Sequence, residues 1–247
     1  MRLGRSTNPA MNNKIFENVA VADRGEQMTV QGTVNKTILL FLLVLLTSTI
    51  TWRMFTAGNA LYATLLWVGV IGGLISALVT FFKKDWAMYT APIYALFEGL
   101  FLGGISAVFN AKYPGIAFQA IGLTFGVLAV LLLVYKAGII RATEKFKRGI
   151  IAATGGIAVF YIINWILSFF GMSVNFASMG LLGIGIQLVI VVVAALNLVM
   201  DFDFIEQGSA AGAPKYFEWF GAFGLMVTLV WLYLEILRLL SLLTGRD

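Results

Sequence analysis

Five carboxylates stand in unusual company. Asp201, Asp203 and Glu206 close the stretch NLVMDFDFIEQG, at the end of a run oily enough to sit in lipid. Glu235 sits in LVWLYLEILRLL, after sixteen residues without another acid, and Glu98 sits in ALFEGLFLGG. A carboxylate at the centre of a bilayer costs about 2.5–3.5 kcal/mol on insertion scales. Such groups face a bundle interior, pair with a partner, or bind ions. Their oxygens are natural ligands for a proton or a hard divalent cation.

Other chemistries are excluded by residue type. The chain has no cysteine and no histidine. Disulfides, thiolate chemistry, Cys- or His-based zinc sites and imidazole titration near neutrality are absent with them. No nucleophile–base pair and no nucleotide loop supports an enzyme reading, and no cofactor is expected. An intramembrane aspartyl protease lacks its GxGD signature, and a retinal-type lysine is missing from residues 221–243.

Helical geometry sorts the acids. At 100° per residue, Asp201 and Asp203 point about 200° apart. Asp201 shares its stripe with Asn197, one turn earlier, and is read as half of an inward polar pair; the alternative is a solvated helix end. Asp203 shares a face with Glu206 and is read as meeting the membrane surface. Glu235 falls near the middle of the last apolar run. It either forms a local ion pair with Arg238, three residues on, or meets Asp201 across neighbouring helices. Two acids in one dry site cannot both ionise freely. They would hold a proton at low pH and attract a divalent cation when both are charged, so Asp201 and Glu235 are also the candidate metal ligands. Glu98 either lines the same cavity or is protonated and hydrogen-bonded to Asn164, Gln119 or Gln187. Lys83 and Lys84 read as an interfacial anchor, or as a latch on Asp201.

The elements that must position these groups are membrane spans. The chain of 247 residues is 60% hydrophobic and 12% charged, about half the charge of a soluble domain. No charge lies between Lys36 and Arg53, Arg53 and Lys83, or Lys112 and Lys136, and Gly149 to Met200 is 52 residues without one. About 20 apolar residues cross a bilayer as a helix. The runs are continuous rather than alternating, which excludes a β-barrel. The fold class is therefore an all-α membrane protein. Its seven spans are expected near 37–52, 61–82, 86–109, 116–135, 149–170, 179–205 and 221–243. Residues 1–35 read as a polar tail, in which NKIFENVA is a candidate short helix, and 36–247 as the transmembrane domain. Glycine pairs at 69/73, 99/103 and 122/126 suggest close helix packing.

Lysine and arginine set the orientation. The tail with Lys36, and residues 83–85, 136–148 and 206–220, carry thirteen; the opposite side carries four. This predicts a cytoplasmic N-terminus. Because the net charge of +5 lies in loops between spans, it points to topology and not to nucleic acid.

LVMDFDFIE ending the sixth span and LYLEILRLLSLL in the seventh, with MTVQGTVNKT and GAPKYFEWFGAFGLMVTLVWLYLEILRLL, resemble the Bax inhibitor family in a bacterial branch. The likeness covers most of the chain after residue 28. It implies a seven-helix bundle around the last helix, in a bacterial inner membrane, acting as a pH-sensitive calcium leak. It also implies that Asp201 and Glu235 form the sensing and gating pair. Three departures stand out. Glu235 replaces an aspartate, the segment from Asp201 to Glu235 is longer, and Lys83 and Lys84 only approximate the basic latch. A second function class is a membrane-bound regulator that captures a membrane protease or stress-response partner.

Overall fold

The computed structural model describes residues 27–172 and 174–245. Among them seven helices are long and apolar enough to cross a membrane, which makes the chain an integral, multi-pass membrane protein. They are α1 (Val30–Thr56), α2 (Leu61–Phe82), α3 (Ala87–Lys112), α4 (Ile116–Lys136), α5 (Glu144–Ser168), α6 (Leu181–Ala210) and α7 (Tyr216–Thr244). Most of residues 1–35, including NKIFENVA, lies outside the described residues.

Every expected span is present, and most helices run past the apolar stretch. α1 begins at Val30, well before residue 37. Thr29 caps it by accepting from the Gly32 N–H, which satisfies one of the free donors of the first turn. Thr33 and Thr37 return their hydroxyls to the backbone carbonyls of Thr29 and Thr33. These polar residues therefore cost little inside a helix. α5 likewise begins five residues before Gly149, at Glu144, on a Thr143 cap.

The chain forms two compact units. The first holds residues 27–117 with Asp201–Val227, and the second residues 118–200 with 228–245. In the first, α3 packs against α1 and α2. Glycine makes this possible: an added Cβ at Gly99 would overlap Thr47 and Val44, and one at Gly103 would overlap Ser48 and Thr51. A Cβ at Gly69 would stand 2.6 Å from the backbone of Phe97 and Phe101. The expected close approach thus holds for the pairs on α2 and α3. It fails for Gly122 and Gly126 on α4, where an added Cβ meets nothing within 4 Å. Outward leucines such as Leu42, Leu46 and Leu74 are more than half exposed, as a lipid-facing surface requires.

In the second unit, the break between α5 and α6 is a short 3-10 turn at Phe176–Met179, followed by Gly180 at φ 60°. The ring of Phe176 stacks on Phe160 of α5 at 5.6 Å. Gly183 presses against the Phe176 carbonyl. The chain so turns between two apolar helices without a charged loop.

Candidate ion site

The last helix carries the best-defined polar cluster. Glu235 is 3% exposed. Its carboxylate accepts from the Tyr161 hydroxyl at 3.0 and 3.1 Å, from Gln187 Nε2 at 2.6 Å, from Trp231 Nε1 at 3.0 Å and from Arg238 Nη1 at 3.2 Å. Arg238 also donates to the Tyr161 oxygen at 2.5 Å, with its guanidinium 5.1 Å from the centre of that ring. Gln187 Nε2 reaches the Glu235 backbone carbonyl as well, at 3.0 Å. Helices α5, α6 and α7 are therefore tied together at a single carboxylate, all within the second unit. The carboxylate thus has four side-chain partners, one of them a guanidinium.

This is the local ion pair that the sequence offered as one reading of Glu235. Asp201 is 6% exposed and lies in the first unit, where its Oδ1 is 3.8 Å from where a Cβ on Gly224 would stand. Gly224 precedes Glu235 by eleven residues on α7, three turns of one helix. The α6–α7 connection turns back at Gly212, at φ 68°, and α7 starts five residues before the expected span.

The neighbouring polar residues have partners of their own. Asn197 gives its amide to Thr154 Oγ1 at 2.9 Å and to the Val193 carbonyl at 2.8 Å. Asp203 is half-buried and accepts from Gln207 at 2.6 Å, while Glu206 is exposed. Both stand in the last two turns of α6. Lys84 opens a short turn before α3 and places its ammonium 5.4 Å above the Phe220 ring. Lys83 is the cap residue at the end of α2.

Glu98 sits mid-helix on α3, hydrogen-bonded to Tyr94 one turn earlier. Its Oε2 lies 3.2 Å from where a Cβ on Gly73 would stand. The suggested amide partners are engaged elsewhere or exposed: Asn164 bonds the backbone of Val174, Gln187 bonds Glu235, and Gln119 faces outward. Tyr94 packs edge-on to Phe223 of α7 at 5.0 Å.

Sequence reasoning missed a further acid. Glu218, in the first turn of α7, is 1% exposed. It accepts from the Thr29 N–H and hydroxyl, both at 2.9 Å, and forms an ion pair with Lys36. Lys36 also stands 5.4 Å from the centre of the Trp219 ring. A Cβ at Gly32 would overlap the Glu218 carboxylate, so glycine is needed there. Met28 adds a backbone bond to Ala213 at 2.6 Å. In sequence Glu218 stands inside PKYFEWF, which reads as an ordinary interfacial end. Among the described residues, no group of three or more acids is placed to hold a metal.

A family model described as Bax inhibitor 1 like matches residues 8–245. No curated protein and no solved structure matches the chain.

Proposed function

The chain belongs to the Bax inhibitor 1-like family, and from that premise we propose that it is a passive, pH-sensitive cation leak that carries calcium. It works without cofactor or catalysis, in a bacterial inner membrane with the N-terminus in the cytoplasm. Asp201 and Glu235, on α6 and α7, are its functional acids. Glu98 is a secondary polar group.

The observation that carries this reading is the Glu235 cluster. A structural ion pair would need only Arg238, yet Glu235 also gathers Tyr161 and Gln187 from two other spans. While Glu235 is ionised, it holds α5, α6 and α7 together. Protonation removes its charge, weakens the bond to Arg238 and loosens the tie. Among the described residues of the second unit, the charged or titratable side chains bonded to Glu235 are Arg238 and Tyr161. The leak therefore rises as pH falls. At Asp201, a carboxylate kept 6% exposed beside a glycine offers a negative station for the ion or for a proton.

Purified protein in liposomes loaded with a calcium dye tests this. Wild type, Asp201→Asn and Glu235→Gln are compared across pH 6 to 8. The wild type should leak more at acid pH, and each substitution should alter that profile. Equal flux from all three at every pH would overturn the reading and leave the alternative of a non-conducting regulator.

A further inference from the structure

Gln187 holds an unusual atom. The side chain is 0% exposed, and its amide nitrogen is fully used on Glu235. Its Oε1, however, has no hydrogen-bond partner among the described residues. A buried acceptor left alone costs about 1–3 kcal/mol, and orphaned groups of this kind call for a ligand or a functional reason. The Gln187 amide and the Tyr161 hydroxyl both reach the Glu235 carboxylate, at 2.6 and 3.0 Å. Carboxylate and amide-carbonyl oxygens are what a desolvated calcium ion takes as ligands. The positive charge now at this place is the Arg238 guanidinium.

We propose that Glu235, Gln187 and Tyr161 form a cation-binding subsite in which the Arg238 guanidinium is a resident, displaceable cation. The role of this subsite in conduction rests on the leak reading; its binding of cations does not. Exposure favours the exchange. The Arg238 side chain is 42% exposed while that of Glu235 is 4%. Arg238 can swing outward along its apolar stem and remain solvated, whereas Glu235 cannot follow it. Each member then has an assigned task. Glu235 supplies the charge, and Gln187 Oε1 gains the partner that it lacks. Tyr161 bridges acid and guanidinium, and its oxygen becomes a ligand when Arg238 departs. Arg238 keeps the site neutral between ions, so that a dry carboxylate never stands uncompensated. Proton, guanidinium and conducted cation are alternative occupants of one place.

Trp231 provides the assay, because its indole nitrogen lies 3.0 Å from Glu235 Oε1. A terbium ion bound there, as a calcium surrogate, would be excited through that indole. The experiment uses the purified full-length chain in detergent, with tryptophan excitation and terbium emission. Arg238→Gln should tighten terbium binding about tenfold over wild type, the change that loss of a modest ion pair would give. Arg238→Lys retains a charge for folding but cannot bridge Tyr161 and Glu235 with a planar fork; it should bind more tightly than wild type too. Adding Gln187→Leu or Glu235→Gln to either background should weaken the signal, and Trp231→Phe should remove it. Unchanged affinity in Arg238→Gln, or in Arg238→Lys should the former not fold, overturns the proposal. Terbium emission that survives Glu235→Gln also overturns it. Calcium flux without terbium binding sinks the subsite alone; terbium binding without flux sinks the leak alone.

Discussion

Lys36→Met should be the most damaging single change at the start of α1, and the structure sets its size. Glu218 is 1% exposed and Lys36 is its only cationic partner in the salt bridges among the described residues. With the ammonium gone, the carboxylate keeps only the Thr29 N–H and hydroxyl. Breaking a buried pair from one side costs about 3–5 kcal/mol. Glu218→Gln should cost less, about 1.5–3 kcal/mol for the charged hydrogen bond. The reason is the exposure of Lys36, whose side chain is 17% exposed and can turn to the interface. The double variant Glu218→Met with Lys36→Met removes both charges and leaves a donor at Thr29, at about 1–3 kcal/mol. It should therefore be no less stable than Lys36→Met alone. The assay is equilibrium unfolding in mixed detergent–SDS micelles, followed by circular dichroism, for wild type, Lys36→Met, Glu218→Met and their double variant, with Glu218→Gln beside them. A Lys36→Met loss under about 1 kcal/mol, or purely additive effects in the double variant, would refute the reasoning.

Three further outcomes follow from the same geometry. Gly103→Ala forces α1 and α3 apart at Ser48 and Thr51; unfolding in the same micelles should show a loss of about 1–3 kcal/mol, whereas Gly126→Ala, facing open space, should be neutral or slightly stabilising. Arg238→Gln removes the guanidinium that bonds Glu235 and should raise calcium flux at pH 8; dye-loaded liposomes would show this. Thr29→Ala removes the α1 cap and a donor to Glu218 and should cost about 1–2 kcal/mol in micelle unfolding.

The spans were legible in sequence because lipid imposes one rule, about 20 apolar residues with internally satisfied backbones. The start of α1 was not. VQGTVN reads as loop by composition, yet Thr29 caps it and Glu218, 189 residues away, fixes its first turn. That contact is invisible to local pattern. The α5–α6 break was legible through the glycine and asparagine of GMSVNFAS, and Asn175 indeed accepts from the Ala177 N–H. Glu235 was legible as a buried acid, and Arg238 as its near neighbour at helical spacing. Tyr161 and Gln187 were not seen as its partners, because nothing in their own runs marks which face meets α7. Helix direction can be read from spacing, but the register of one helix against another depends on loop length and on where α7 begins.

The central claim is that ionised Glu235 is a lock that acid releases. Its most direct test is the ratio of calcium flux at pH 6 to flux at pH 8, measured in one liposome preparation for wild type and Glu235→Gln. The account predicts a ratio well above one for wild type and close to one for Glu235→Gln, which carries no titrating group at that position. A Glu235→Gln protein that keeps the wild-type ratio would contradict it.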